Sequence, residues 1–313
     1  MIRFIAKGII RDKSRSLLPI IVVSLGVLLT VFLSGWVTGV FGDMIDMNAR
    51  FNTGHVKIMT RAYANNHNQK PNDLALLGTD SLIDKLKQDY PGMKWVERIY
   101  FGGLLDVPDK NGETRAQGPA TGQAVDLLSP VSEEAERMNI NPSIVSGSMI
   151  QNQGETLISD EFASRFDVKP GEEVTLFSST MYGSMVFKTF TVSGTIRFGT
   201  TLLDRGAVII DIRDARQAFN MEDGAGEVLG YFEEGKYLKE KAEVVKTSFT
   251  RKYSDETDEF SPVMLTLGDQ EGLAEMLAYS ESVVGLVIFV FVFAMSLVLW
   301  NTGLLGGDRK SVV

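Results

Sequence analysis

Two long apolar runs bracket the chain, and mixed, charged sequence lies between them. Residues 16–42 contain no charged side chain, and neither do residues 283–307. A helix that crosses a bilayer needs about 20 apolar residues, so each run is long enough to form one. The first run is also longer than the apolar core of roughly 7–15 residues in a signal peptide. The pattern predicts two transmembrane helices flanking a large water-exposed region.

The flanks of the first run predict its orientation. Arg11, Lys13 and Arg15 precede it, and aspartates follow it. Short basic flanks stay in the cytoplasm, so we expect a cytoplasmic N-terminus and an exported middle region. Basic and apolar residues also alternate at helical spacing over 1–15. This segment is either an amphipathic helix on the membrane surface, held there by the three basic residues, or a topology signal alone.

The middle region predicts two strand–helix–strand units, over 43–110 and 223–268. The first contains the strand His55–Thr60, the helix Ser81–Tyr90 and the strand Trp95–Val107, and the second contains the strand Glu227–Phe232, the helix Tyr237–Tyr253 and the strand Ser261–Leu267. Because a parallel pair of strands needs a crossover helix, we expect the strands within each unit to pair. Together the units suffice for a split βαβ, ferredoxin-like sandwich.

Residues 111–222 predict a mostly β subdomain inserted into this sandwich. Glu173–Leu176 and Val186–Val192 alternate around the turn-like Ser178–Ser184, which indicates a hairpin. Other predicted elements are a helix over Leu157–Phe166 opened by Ser159 or Asp160, a turn at Val168–Gly171, a strand at Ala207–Ile212 and a helix around Asp214–Phe219. With a stalk helix over 269–282, the predicted fold class is membrane α-helical plus α+β.

The sequence offers no convincing catalytic, metal or cofactor site. A net charge of −9 argues against nucleic-acid binding, and the chain contains no cysteine to supply a thiolate. The two histidines, His55 and His67, lack a second ligand at zinc spacing, and we expect a structural role for His55 and a solvated loop for His67. Phosphate-binding glycine-rich loops and Gly-x-Ser-x-Gly elbows are absent from the sequence. We therefore predict a protein that is not an enzyme and holds no cofactor.

Several motifs, in chain order, carry a resemblance to a known family. They are the basic-to-apolar stretch Phe4–Val31, Gly54–Ile58 (GHVKI), Leu157–Ala163 (LISDEFA), Val168–Val174 (VKPGEEV) and Phe190–Thr195 (FTVSGT). Together with the two runs, they resemble FtsX-like permeases of ABC transporters that carry a MacB-like periplasmic core domain. In that family the split sandwich is called the porter subdomain and the insert the sabre subdomain.

The resemblance implies a permease subunit of the bacterial inner membrane. It implies a homo- or heterodimer with a second permease subunit, in contact with membrane lipid and paired with a separate cytoplasmic ABC ATPase. The implied mechanism is mechanotransmission, in which nucleotide-driven motion reaches the periplasmic domain. The apolar runs suit this mechanism because ionisable residues usually mark a polar conduit, and both runs lack them.

The favoured branch is the lipoprotein-releasing, LolC/LolE-type one, which passes its substrate to a periplasmic carrier. Met1 stands directly before the basic segment, as in the stand-alone permeases of that branch. However, Ser178–Met185 is short and lacks the proline of that branch's hook loop, which puts carrier docking in doubt. The alternatives are a MacB-like exporter of small molecules or peptides, or an FtsX-like relay that activates a periplasmic partner without transport.

Two groups of residues are candidate contact sites. Met181, Tyr182 and Met185 lie at the predicted hairpin tip, where they either dock a periplasmic carrier or adaptor or fold onto their own sheet. Gly26, Gly35 and Gly39 place small residues along the first run, as helices that pack closely in membranes do.

The final hexapeptide, Asp308–Val313, matches a translation of the start of a common sequencing adapter, GATCGGAAGAGCGTCGTG. Family members have four spans and this chain has two. We therefore expect a truncated gene fused to adapter sequence, with a natural basic tail as the alternative.

Overall fold

The structure is a computed structural model that describes residues 13–199, 204–270 and 273–307. It divides into two compact units, one formed by Met1–Met47 with Glu271–Val313 and the other by Asn48–Gln270. The predicted surface segment up to residue 12 and the tail Asp308–Val313 lie outside the described residues.

The helices and strands are as follows. The helices are α1 (Lys13–Asn48), α2 (Arg61–Asn65), α3 (Thr79–Asp89), α4 (Glu134–Arg137), α5 (Ile140–Ser143), α6 (Asp160–Phe166), α7 (Ile212–Phe219), α8 (Lys239–Tyr253) and α9 (Leu273–Gly307), with a π-helical turn at Ala49–Thr53 and 3₁₀ turns at Asn72–Leu74 and Leu267–Asp269. The strands are β1 (Val56–Thr60), β2 (Leu76–Leu77), β3 (Met93–Pro108), β4 (Thr114–Val125), β5 (Ile144–Gly147), β6 (Glu155–Ser159), β7 (Glu173–Ser179), β8 (Met185–Ile196), β9 (Ala207–Asp211), β10 (Gly224–Ala225), β11 (Glu227–Phe232) and β12 (Pro262–Thr266).

The first unit contains α1 and α9, and both helices are long and apolar enough to cross a membrane. Large apolar side chains such as Leu28 and Phe289 are exposed along them instead of packing into a core. A helix that is apolar all round yet exposed in the isolated chain is typical of a membrane span, because lipid then surrounds it. The predicted stalk is the N-terminal part of α9, which runs without a break into the second apolar run.

The second unit begins with a four-stranded antiparallel sheet in the order β12-β1-β11-β3. This is the strand order of a split βαβ fold. The predicted strands and helices are present, but the predicted pairing within each strand–helix–strand unit is wrong. Strand β11 of the second unit lies between β1 and β3 of the first, so the parallel strands of one unit are not neighbours. One face of this sheet packs on α3 and α8 through Ile58, Val228, Leu86 and Phe249.

Strands β3, β4, β9, β6, β8 and β7 form a closed ring in that order, because β7 pairs again with β3. Strand β5 pairs with β8 outside this ring, and β2 and β10 pair with each other. Closure leaves an apolar interior filled by side chains such as Leu105, Leu176, Phe190 and Ile210. Strand β3 belongs to both halves, since Met93–Arg98 pairs with β11 and the following residues pair with β4. The predicted boundary between residues 110 and 111 is therefore wrong, because the division falls inside one strand.

The predicted helix within Leu157–Phe166 is confirmed, and it opens at the predicted position. It begins at Asp160, directly after Leu157–Ser159 of the buried strand β6. The predicted cap is present, because the Ser159 side chain accepts a hydrogen bond from the Phe162 N–H. The hairpin of β7 and β8 is confirmed.

Candidate functional site

The chain leaves α1 through the π-helical turn Ala49–Thr53, whose Ala49, Phe51 and Thr53 side chains are buried. π-helical turns are rare in proteins, and those that occur often lie at functional sites. No backbone N–H of the helix reaches its last carbonyl groups, so these carbonyls need hydrogen-bond donors from elsewhere. The π-turn obtains those donors from the sheet of the second unit.

Arg98 of β3 supplies two of these donors and is 0% exposed. Its Nη1 donates to the Phe51 carbonyl at 2.5 Å, and its Nη2 donates to the Arg50 carbonyl at 2.6 Å. The Tyr231 hydroxyl of β11 donates to the Ala49 carbonyl at 2.9 Å. A cation at the C-terminal end of a helix is also favoured by the helix dipole. Arg98 and Tyr231 therefore fasten the π-turn to two central strands of the same unit.

Glu134 of α4 neutralises Arg98. The two side chains are fully buried, and the Arg98 Nε donates to Glu134 Oε2 at 3.0 Å. Arg137, one turn later, pairs with the other carboxylate oxygen and lays its guanidinium 4.3 Å from the centre of the Tyr231 ring. Burial alone lowers the pKa of Arg98, but the Glu134 carboxylate and nearby tyrosines raise it, and the net direction is upward. We call Arg98, Glu134, Arg137 and Tyr231 the Arg98 cluster.

Charged side chains continue from this cluster across the same face of the sheet. Glu227 of β11 stands directly opposite Arg98, and its carboxylate lies 2.8 Å from the Lys57 ammonium of β1. Because neighbouring side chains on a strand alternate between faces, these groups lie on the face opposite the apolar one that packs on α3 and α8. Burial raises the pKa of Tyr231 to about 12, so its hydroxyl stays protonated as a donor at neutral pH.

His55 has a structural environment beside the Arg98 cluster. Its Nδ1 accepts a hydrogen bond from the Phe232 N–H at 2.9 Å, and its ring stacks on the Phe232 ring. Burial, with a smaller contribution from Arg137, lowers the pKa of His55 to about 4. His67 is half-buried, with its Nδ1 2.9 Å from the Ala64 carbonyl. Among the described residues, histidine and acidic side chains form no group of three or more that could hold a metal ion.

At the hairpin tip, Met181 follows the second of the two alternatives and folds onto its own sheet. It is only 7% exposed and joins the apolar interior of the ring, while its N–H donates to the Phe219 carbonyl. Tyr182 and Met185 are both 73% exposed. The tip therefore folds partly onto its own sheet and still presents two large side chains to solvent.

An apolar row that the sequence analysis missed lies beside this tip. Leu104 of β3 stands opposite Pro119 of β4 and Phe177 of β7, and Phe177 stands opposite Phe187 of β8. Residues directly opposite on neighbouring strands share a face, so the four form one row across the outside of the ring. Leu104 and Phe187 are exposed. The alternation of side chains between the two faces of the hairpin strands was the sequence signal that could have indicated this row.

The three glycines of α1 differ in their surroundings. A Cβ on Gly26 would lie 2.7 Å from the Met295 sulfur of α9, so Gly26 allows the two helices to approach closely. A Cβ on Gly35 or Gly39 would meet nothing within 4 Å among the described residues. Of the three basic residues, Lys13 and Arg15 fall in the first turn of α1, and Arg11 lies outside the described residues.

The fold and the exposed apolar helices define a membrane protein with a large water-exposed α+β domain. The family model of the MacB-like periplasmic core domain matches residues 16–245, and this chain belongs to that family. Its members are permease-type components of ABC transporters, which work with a cytoplasmic ATPase and hold this domain in the periplasm.

The solved crystal structure of the periplasmic region of MacB from Actinobacillus actinomycetemcomitans is similar, with 9% sequence identity, a TM-score of 0.46, and coverage of 70% of this chain and 92% of that chain. The search of curated proteins gave no significant match.

Proposed function

We propose that this chain is a permease subunit that transmits motion mechanically from a cytoplasmic ATPase to the periplasmic side of the inner membrane. The observation that carries the proposal is the Arg98 cluster. It bonds the carbonyls of the π-turn, which follows α1 in the chain, to β3 and β11, so a displacement of the π-turn would pull directly on the sheet. Packed interiors deform little, so such a displacement moves the sheet as a body.

The family's subdomain names can be assigned on this basis. The split βαβ half is the porter subdomain, and the strand ring is the sabre subdomain. β3 runs through both, so the two subdomains share one continuous strand and motion of the first is passed to the second. In this arrangement the N-terminus and the ATPase lie in the cytoplasm, and a second permease subunit completes the transporter.

Lipoprotein release toward the outer membrane is the substrate class that we favour. The support is an exposed surface on the ring, formed by Tyr182, Met185 and the apolar row. Exposed clusters of apolar side chains mark interaction sites, and aromatic residues and methionine are enriched in them. An FtsX-like relay would use the same surface to activate a partner without transport, and a MacB-like exporter would use it to hold an adaptor.

The relay is tested in the full-length transporter by replacing the buried ion pair. The double variant Arg98→Met with Glu134→Leu removes both charges, so neither is left buried without its partner. We expect ATP hydrolysis to stay within about twofold of the wild type while substrate release falls about tenfold, or about 1.4 kcal/mol. The matched control is Arg115→Met, which removes an exposed ion pair from the ring. Normal release by a folded double variant would contradict the relay.

The docking surface is tested by photocrosslinking in cells that carry the complete transporter. A photoreactive residue at Tyr182 should capture a periplasmic protein, because this side chain projects into solvent. The control is the same residue at Glu113, which lies in the exposed turn between β3 and β4. Capture of a lipoprotein carrier supports lipoprotein release, and capture of a cell-wall hydrolase supports the FtsX-like relay. Only self-crosslinks from Tyr182 would count against docking at the tip.

A further inference from the structure

A cavity of about 260 Å³ lies next to the π-turn, inside the second unit. Its polar lining comes from Asn52, Lys70, Tyr100, Gln123 and Arg205, and its apolar lining includes Phe51, Met138, Phe198 and Ile209. Small-ligand sites are concave, mostly apolar and fitted with a few polar groups. The volume is at the small end of such sites, so any ligand is small.

Lys70 is the unusual member of this lining. Its backbone φ is +47°, and it precedes Pro71. A non-glycine residue in this region costs about 1–3 kcal/mol, and such strain concentrates at functional sites. Its ammonium lies 3.3 Å from the centre of the Tyr100 ring. The ammonium forms no ion pair or hydrogen bond with any residue that the structure describes.

The electrostatic surroundings of Lys70 favour an anion. The buried layer on this face of the sheet holds the basic side chains of Lys57, Arg98 and Arg137, against the carboxylates of Glu134 and Glu227. Lys70 therefore adds a positive charge that no carboxylate of this layer neutralises by an ion pair. Burial lowers the pKa of Lys70 to about 8; Glu227 opposes this shift, and Lys57 and Arg98 reinforce it. An anion beside the ammonium would restore the balance and hold it protonated.

Arg205 adds a second cation to the same lining. It is exposed and forms no ion pair among the described residues. The Tyr100 hydroxyl and the Gln123 amide also line the cavity, and both donate hydrogen bonds to the Phe51 carbonyl. The apolar lining includes Phe51 and Phe198, whose rings are in edge-to-face contact. The lining therefore holds two cations suited to a charged oxygen group and apolar side chains suited to a short hydrocarbon.

We propose that this cavity binds a small amphipathic anion, a carboxylate or phosphate with a short apolar tail, with Lys70 and Arg205 contacting the oxyanion. The ligand is either the headgroup region of an anionic lipid or a free metabolite, because the two share this chemistry. Phe51 and Asn52 of the π-turn are part of the lining, so the ligand would contact the segment that follows α1. The binding claim does not rest on the relay proposed above.

The test uses the full chain in phosphatidylcholine nanodiscs, with butyrate and butyl phosphate as anionic probes and butylammonium as the cationic probe. Binding is measured by ligand-observed saturation-transfer NMR. We expect at least one anionic probe to bind and butylammonium not to bind. Lys70→Met should weaken the affinity for that anion at least about tenfold, which corresponds to about 1.4 kcal/mol. Lys70→Arg should retain binding.

Matched variants separate the site from general charge. Lys110→Met removes an exposed lysine from the turn between β3 and β4 and should leave binding unchanged. Arg205→Met removes the exposed cation of the lining and should weaken binding, while its exposed position protects the fold. Each variant is checked by its thermal unfolding midpoint, which should match that of the wild type within a few degrees.

The source of the ligand is separated by adding phosphatidylglycerol to the nanodiscs. Loss of butyrate or butyl phosphate binding in wild type then indicates a lipid headgroup, and unchanged binding indicates a free anion. The proposal is overturned if no anionic probe binds, if butylammonium binds as well as the anions, or if folded Lys70→Met and Arg205→Met chains bind the anion as the wild type does.

Discussion

The two halves of the periplasmic unit solve different physical problems. The split βαβ half buries charged groups, and one face of its sheet carries the Arg98–Glu134 and Lys57–Glu227 pairs. The ring half buries an apolar interior and leaves an apolar row on its outside. Buried ion pairs contribute little net stability but fix geometry where they occur. The split βαβ half thus fixes the position of the π-turn, and the ring half offers surface.

The largest expected effect comes from one strand of the ring. Phe190 of β8 is buried in the ring, and Phe187, three residues earlier, is exposed on the outer face. Phe190→Ala should cost about 3–5 kcal/mol because it leaves a cavity in a closed core. That corresponds to a fall of roughly 10 °C in the thermal unfolding midpoint for a unit of this size.

Phe187→Ala is the matched control, with the same change in side chain on the same strand. It should shift the midpoint by no more than about 2 °C, since surface substitutions stay within about 0.5 kcal/mol. It should, however, weaken capture of a partner at the hairpin tip. Equal destabilisation by the two variants, measured by circular dichroism in the same detergent, would show that the row is part of the core.

The split half should respond differently from the ring to the loss of a charge. Arg98→Met removes the donors to the π-turn carbonyls and leaves Glu134 with Arg137 alone, so we expect a loss of about 3 kcal/mol. Adding Glu134→Leu should recover part of that loss, because no buried carboxylate then lacks its Arg98 partner, while the π-turn carbonyls stay without the Arg98 donors. Arg115→Met in the ring, where the ion pairs are exposed, should cost less than about 1 kcal/mol. The free energy of unfolding of all the variants is compared by thermal unfolding. A double variant that is less stable than Arg98→Met would contradict the expected recovery.

The sequence was informative about elements and poor about contacts. Glu227–Phe232 was predicted as a strand and is β11, because an apolar run rich in β-structure formers is a local signal. The order of the strands was not local: β11 separates β1 and β3, which lie near each other in the chain. Adjacency in sequence predicted the wrong neighbours because, in a split βαβ fold, a strand from elsewhere in the chain is inserted between the two parallel strands of a unit.

The Arg98 cluster could not have been assembled from the sequence. Arg98 is one of three charged residues in the predicted strand Trp95–Val107, and a charged residue usually faces solvent. Its partners are far away in the chain, and Tyr231 bonds a carbonyl 182 residues earlier. The short helix α4 that supplies Glu134 lies in a region predicted to be mostly β. Long-range partners decide whether such a charge is buried, and a single sequence does not contain that information.

The smallest of the expected effects compares two glycines, one in each half. Gly54 follows the π-turn with φ 60° and ψ −173°, a backbone conformation that is essentially restricted to glycine, and a Cβ there would lie 2.8 Å from the Val56 carbonyl oxygen. Gly112 lies in the turn before β4 with φ 83° and open space around it. Gly54→Ala should therefore cost about 2–3 kcal/mol, by strain together with close contact. Gly112→Ala should cost about 1 kcal/mol, by backbone strain alone. If the two midpoints in thermal unfolding fall equally, the backbone beside the π-turn is not held more tightly than an ordinary hairpin turn. In that case the position-fixing role assigned to the split half is wrong, because a relay needs its first attachment point to be rigid.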